Sequence, residues 1–350
     1  MSAPEMSAAA PEPASASAPV PVSAPAAPRY LVTGASGMLG LDLQAALAAR
    51  GADVTALGRT DLDVTDASAV LRAVAGHDVV FNLAAYTKVD DAESFEDEAY
   101  DVNATGAGNV AAAARESGAT LIHVSTDYVF DGSATSPYPE DAPYSPLSAY
   151  GRTKAQGERN VLHEHPSGAY VVRTAWLYGK HGSSFPKTML KLIADRDTVS
   201  VVNDQHGQPT WTVDVATQLL RLADAARTSA AGLHSAALRS AGLGSAGLGS
   251  AGLGGPHAAP GIYHATNSGE TTWFGFTQAL FGELQIDPDR VQPTDSSQFV
   301  RPAPRPAYSV LGHDAWSRAG IEPLRNWGEA LHAAAISGVL EKHGNASGRR

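Results

Sequence analysis

Tyr30-Leu31-Val32-Thr33-Gly34-Ala35-Ser36-Gly37-Met38-Leu39-Gly40 passes from an apolar run into three glycines spaced three apart. The run predicts a buried strand. Gly34 permits a tight turn out of it, Gly37 lets main chain approach a phosphate, and Gly40 allows a following helix to pack closely on the strand. The apolar stretch Met38–Leu47 predicts that helix, whose first N–H groups, at Met38 and Leu39, and positive dipole end face an anion. No Gly-Lys-Ser/Thr follows, so a P-loop is excluded and a dinucleotide pyrophosphate is the expected guest.

Two later stretches supply chemistry. Thr120-Leu121-Ile122-His123-Val124 is apolar and ends at Ser125-Thr126-Asp127, and Tyr150-Gly151-Arg152-Thr153-Lys154 opens a predicted helix. Residues four apart share a helix face, so Tyr150 and Lys154 project together. A lysine ammonium beside a phenol lowers its pKa towards the range useful for general acid catalysis. Thr126, just beyond a strand end, is placed to hydrogen-bond the same carbonyl oxygen. Together the three stretches imply a nicotinamide-dependent reductase of a ketone.

From Arg29 onward apolar strand-like runs alternate with alanine-rich helical ones, the pattern of an α/β doubly wound parallel sheet. Tyr30–Val32, Asp53–Leu57, Val79–Leu83, Thr120–Ser125 and Ala169–Arg173 read as strands, with Asn109–Arg115 and Lys154–His163 in helices between them. After Gly179 the pattern loses regularity, and Gly261–Ala265 returns to the sheet. The expectation is a Rossmann-like cofactor domain over 29–178 and 213–267. A smaller, interleaved substrate-binding subdomain covers 179–212 and 268–343.

Residues 1–28 are almost wholly Ala, Pro and Ser. They lack a basic n-region and a continuous apolar core, so they read as a disordered tail rather than a secretory signal. Residues 228–260 carry Ser-Ala-Gly-Leu-Gly three times, at 240–244, 245–249 and 250–254. Units this small bury little apolar surface, and the segment reads as a flexible loop after a helix Val213–Arg227.

The net charge of −11 argues against a nucleic-acid surface. No stretch approaches the roughly 20 apolar residues of a membrane span. Zero cysteines exclude disulfides and fit a reducing, cytoplasmic compartment. The 12 histidines form no metal-spaced cluster, and His163-Glu164-His165 reads as a solvated helix end. Near strand two, where an NAD-selective site places an acid about 20 residues after the first glycine, the chain has Ala56-Leu57-Gly58-Arg59. Arg59 is positioned to meet a 2′-phosphate, which favours NADPH while leaving NADH possible.

The chain resembles an extended short-chain dehydrogenase/reductase and, more narrowly, the dTDP-4-dehydrorhamnose reductase family. The resemblance rests on GASGMLG (34–40), FNLAAYTKVDDAE (81–93), HVSTDYVFDG (123–132), SPLSAYGRTKAQGE (145–158), VVRTAWLYG (171–179), VVNDQHGQPT (201–210) and RPAPRPAYSVL (301–311). It implies that Tyr150 is the proton donor, that Lys154 binds the nicotinamide ribose, and that Thr126 and Asp127 contact substrate. It also puts Asp63 and Val64 near the adenine, Leu83, Ala84 and Ala85 along the ribose, and Trp176 against the sugar nucleotide, although core packing explains Trp176 equally well. Tyr128 stands where 4,6-dehydratases carry a second acid, which favours simple ketone reduction.

Some family members bind Mg²⁺ through glutamates at a dimer interface. The matching positions here hold Asp42, Val213 and Gly328, so the expectation is no metal and a monomer or weak homodimer. The resemblance points to NADPH-dependent reduction at C4 of dTDP-4-dehydro-β-L-rhamnose. Two alternatives stand beside it: reduction of a related dTDP-4-keto-6-deoxysugar, and a non-catalytic regulatory subunit that keeps the fold.

Overall fold

The computed structural model describes residues 27–240, with main chain alone from 230 to 240, and residues 256–340. The N-terminal tail to residue 26 and most of the Ser-Ala-Gly-Leu-Gly repeats lie outside the described residues. The first lobe runs β1 (Arg29–Thr33), α1 (Met38–Ala49), β2 (Asp53–Leu57), α2 (Ala67–Val74) and β3 (Val79–Asn82). It continues through α3 (Glu96–Tyr100), a π-helical turn Asp101–Gly106, α4 (Ala107–Ser117), β4 (Thr120–Thr126), α5 (Ala149–Glu164) and β5 (Ala169–Thr174).

The strands are near-continuous apolar runs because both faces of a parallel sheet are covered. Every residue of β3 and β5 is buried. All pairs are parallel, and the six-stranded order is β10-β5-β4-β3-β1-β2, where β10 is Gly261–His264. One face packs Leu39, Leu43 and Leu47 of α1 against Val215, Leu219 and Leu222 of a long helix, α7 (Thr212–Ser240). The other packs Val70 and Val74 of α2 against Val110 and Ala114 of α4 and Val161 of α5.

The chain passes from β1 outward to β2 and then back across β1 to β3, so the order reverses beside β1. Ligands of such sheets bind at that reversal, beyond the carboxyl ends of the strands. There the Leu83 N–H donates to the Thr33 carbonyl at 3.2 Å, which joins the exits of β3 and β1.

The second lobe holds β6 (Leu177–Tyr178), α6 (Phe185–Asp195), β7 (Val199–Val202), β8 (His206–Gly207) and β9 (Thr210–Trp211). After β10 come β11 (Thr271–Thr272), α8 (Trp273–Glu283), β12 (Val291–Thr294), α9 (Asp314–Arg318) and α10 (Trp327–Ile336). Its own core gathers Met189, Trp211, Phe276, Phe281 and Leu331.

Two sequence expectations need correction. The helix expected to stop at Arg227 runs on to Ser240, into the predicted loop 228–260. Its continuation is rich in alanine, the best helix former, and periodicity alone undervalued that. His165, expected to be solvated, is buried, with Nε2 hydrogen-bonded to the Ala119 carbonyl at 3.0 Å, whereas the His163 side chain is 85 % exposed.

Among the described residues no helix is long and apolar enough to cross a membrane.

Candidate active site

The glycine turn has the geometry its spacing predicts. Gly34 has φ +64°, and a Cβ there would stand 2.6 Å from the Leu83 carbonyl carbon. At Gly40 a Cβ would meet the Gly34 and Ala35 carbonyl oxygens at 2.7 and 2.8 Å, so only glycine lets α1 approach the turn this closely. Gly37 caps α1 with no side-chain acceptor. The first N–H groups of the helix therefore have no partner of their own and suit an anion.

Beyond the turn opens a cavity of about 960 Å³ between the two lobes. Gly34, Gly37, Met38, Leu39, Gly40, Leu83 and Ala85 line its floor, and Thr126, Asp127, Tyr150, Lys154 and Trp176 line its middle. Twelve of the residues singled out from sequence thus meet in one space. Arg59, Asp63, Val64 and Ala84 are not in its wall. Arg59 is exposed on the loop after β2, next to the glycine turn through Gly58 and Ser36. The Asp63 carboxylate accepts from the Thr65 N–H and hydroxyl at 2.9 and 2.8 Å, which holds its pKa below the usual carboxylate range. The Val64 side chain is committed to the core against Gly106, and Ala84 packs on the same cluster.

Helix α5 presents the Tyr–Lys pair, and close contacts fix where it sits. A side chain at Gly151 would collide with the Tyr128 carbonyl, and one at Gly157 with the Asn103 carbonyl. Asn103, on the π-helical turn, accepts from the Tyr86 N–H at 2.9 Å and donates to the Thr153 hydroxyl at 3.1 Å, tying α5 to the strand exit after β3. One helical turn past Lys154, the fully buried Glu158 carboxylate is gripped by the Arg173 guanidinium at 2.8 Å and by the Ser125 hydroxyl at 2.5 Å. Such buried, multiply bonded pairs cost desolvation but enforce one arrangement, here of α5 against β4 and β5.

Electrostatics depart from expectation in one respect. The Lys154 amine donates to the Val124 carbonyl at 2.8 Å and lies 3.5 Å from His123 Nε2, so it is held away from the phenol. Burial pushes the Tyr150 pKa well above that of a free phenol; the Thr126 hydroxyl pulls it down and Asp127 pushes it up. The predicted depression is therefore absent from the resting site, and Tyr150 keeps its proton firmly. Burial also draws the Lys154 pKa down to about 8, opposed by Glu158, and lifts Asp127 to about 6, opposed by the Thr126 and Ser309 hydroxyls. Two buried polar atoms at this wall, Asp127 Oδ2 and Thr174 Oγ1, have no hydrogen-bond partner. Buried groups rarely stay so, and both suit a hydroxylated ligand.

Trp176 stands at the cavity wall and is half-buried. Its indole stacks on Trp273 at 3.5 Å and 7°. Its backbone is left-handed, with φ +47°, and Gly207 makes room for the ring. Sequence reasoning missed Trp273, Arg301 and Arg305 in the wall, as well as Tyr128, whose ring stands edge-on to Tyr150 at 5.5 Å. The prolines around Arg301 and Arg305 were the available signal, since they mark a rigid, non-helical strap. Asp42, at one of the positions compared with metal-binding glutamates, accepts from the Thr212 hydroxyl. Among the described residues no cluster of three or more His, Asp or Glu could hold a metal ion.

A family profile described as the RmlD substrate binding domain matches residues 28–242 and 253–338. The chain belongs to the RmlD family. RmlD relatives include the dTDP-4-dehydrorhamnose reductase of Streptomyces griseus, 51 % identical over 306 residues, covering 87 % of this chain and 92 % of that protein. The dTDP-4-keto-6-deoxy-D-glucose reductase of Streptomyces niveus is 43 % identical over 308 residues, 87 % of this chain and 96 % of that one. Among solved RmlD structures, the Bacillus anthracis dTDP-4-dehydrorhamnose reductase in complex with NADP is 33 % identical. It superposes with a TM-score of 0.76 over 89 % of this chain and 100 % of that one.

Proposed function

We propose that this protein reduces the C4 ketone of dTDP-4-dehydro-β-L-rhamnose with NADPH. The observation that carries the reading is the meeting of Thr126, Tyr150 and Lys154 in the same cavity as the open N-terminus of α1. The relatives' names and the NADP in the Bacillus anthracis structure support it. The residues present fit a dinucleotide: a Cβ at Gly37 would meet only the Gly34 carbonyl oxygen, so the turn is open to a ligand there, and the helix end offers unpaired N–H groups.

Bound NADPH supplies hydride to the ketone carbon. Tyr150, protonated because it is buried, donates its proton to the oxygen that becomes a hydroxyl. Thr126, whose single hydroxyl proton rests on Asp127 Oδ1 at 2.9 Å, turns that proton to the ketone oxygen and so orients it. Lys154 turns from the Val124 carbonyl to the nicotinamide ribose, bringing positive charge to the phenol as proton transfer begins. Arg59 meets the 2′-phosphate. Trp176 and Trp273 offer an apolar stacked face at the sugar-nucleotide side of the cavity.

The cofactor part is assigned to 29–178 and 213–267 and the substrate part to 179–212 and 268–343. The site needs no metal. Purified protein incubated with NADPH and dTDP-4-dehydro-β-L-rhamnose should oxidise the cofactor in proportion to dTDP-rhamnose formed. No turnover with this or any dTDP-4-keto-6-deoxyhexose would leave the regulatory-subunit reading standing. The Streptomyces niveus relative favours a second substrate, dTDP-4-keto-6-deoxy-D-glucose, and a side-by-side kcat/KM comparison ranks the two.

A further inference from the structure

Residues 303–312 strap the second lobe to the first. On one side the His206 N–H donates to the Ala307 carbonyl at 2.8 Å and the Ser309 N–H to the His206 carbonyl at 2.9 Å. On the other, the Tyr308 N–H donates to the Gly132 carbonyl at 3.1 Å and the Tyr138 N–H to the Val310 carbonyl at 2.9 Å. Gly132, with φ +78°, lets Pro306 sit directly on the main chain, where a Cβ would stand 2.6 Å from the proline Cα.

Upstream of these bonds the strap becomes cavity wall, through Phe299, Arg301, Arg305 and Pro306. Only Asp90, on the first-lobe loop after β3, ties that stretch down by charge among the described residues. Its Oδ1 accepts from Arg305 Nη2 at 2.9 Å and from the Ala303 N–H at 3.3 Å. The two side chains are only 23 % and 28 % exposed, so solvent and salt screen the pair less than a surface pair. The Arg305 guanidinium also lies over the Tyr128 ring at 5.9 Å. Arg301, exposed at the cavity edge, has no carboxylate within ion-pair distance among the described residues.

We propose that Asp90 is a positioning residue for the nucleotide end of the substrate. By holding Arg305 and the Ala303 amide it fixes the 299–306 wall, and so places Phe299 and the free Arg301 cation against a nucleoside diphosphate. The assignment rests on the sugar-nucleotide reading above. None of the residues it names belongs to the glycine turn, so its effects separate from those on the cofactor.

The test uses the full chain with dTDP as probe. Asp90→Ala should raise the calorimetric Kd for dTDP and the KM for the dTDP-4-keto sugar by about three- to tenfold. Both kcat and NADPH affinity should stay within about twofold, the split expected when binding alone is lost. Asp90→Asn, which keeps an acceptor for both donors, should fall between wild type and alanine. Arg305→Ala should weaken dTDP in the same sense, and the Asp90→Ala/Arg305→Ala double variant should be no worse than the poorer single one. An unchanged dTDP Kd in the folded Asp90 variants, additive losses, or an equal loss of NADPH affinity would overturn the proposal. Wild-type protein that binds no dTDP would overturn it too. Protein that binds dTDP but turns over no keto sugar would fail the functional reading alone, while the Kd comparison still decides the role of Asp90.

Discussion

The Lys154 amine donates to the carbonyl oxygen of Val124 at 2.8 Å, two residues before Thr126 on the same strand. The lysine is thus stored at the strand end, in a buried place that pulls its pKa down to about 8. Below that value the amine is charged; above it the charge is lost. For the free enzyme, kcat/KM should therefore hold level below about pH 8 and decline above it, at most tenfold per pH unit. A profile measured from pH 6.5 to 9.5 that stays flat would show that the charge on Lys154 is not required.

Tyr150→Phe keeps the ring against Tyr128 and removes only the proton. It should lower kcat by about 10²–10⁴, the usual range for losing a general acid, with NADPH binding unchanged. Activity within a few-fold of wild type would move the proton donor elsewhere.

Arg59 stands outside the cavity wall on the exposed loop after β2, where only the outer end of a cofactor could reach it. Arg59→Ala should weaken NADPH by about 1.5–3 kcal/mol, the range for a hydrogen bond to a charged group, and leave NADH little changed. Direct titration of both cofactors checks this. Equal losses would assign Arg59 to something other than the 2′-phosphate.

Asp127 carries a stability cost with a definite sign. Its folded pKa is raised from 3.8 to about 6, so the folded state keeps a proton that the unfolded state releases in that window. Stability from this group is present below about pH 4 and lost as pH rises through about 6. Each tenfold difference in proton affinity between the two states is worth about 1.4 kcal/mol. Asp127→Asn should therefore stabilise the protein by roughly 2–3 kcal/mol at pH 8, and by only about 0.5 kcal/mol at pH 4. Urea unfolding at the two pH values decides it. Activity should fall as stability rises, because the carboxylate is placed for substrate rather than for the fold.

The sheet was legible because its inner strands are apolar and announce themselves as short runs, as in the wholly buried β3 and β5, while even the half-exposed edge strand Asp53–Leu57 matches residue for residue. The glycine turn was legible because Gly34 needs a left-handed backbone and a Cβ at Gly40 would strike the Gly34 and Ala35 carbonyls, constraints that local sequence carries directly. The resting state of Lys154 was not. Spacing places it on the face of Tyr150, but the carbonyl that receives it belongs to a strand 30 residues away in sequence. Trp273 and Arg305 escaped for the same reason. They reach the cavity from the second lobe, whose short strands leave no clear period to read.

Strand β10 closes the sheet against β5, pairing Ile262 with Val171, and is reached only after the chain has traversed β6 to β9 and the whole of α7. During synthesis from the N-terminus, β5 has an unpaired edge until residues beyond 264 emerge, and an open edge is a template for pairing with another chain. The Trp316 indole then donates to the His264 carbonyl and Trp316 packs on Tyr263, so α9 holds the end of β10 in place. A nascent chain stalled before about residue 260 carries every group of the Thr126–Tyr150–Lys154 set yet still exposes the β5 edge, and a truncation ahead of β10 should show itself first as aggregation.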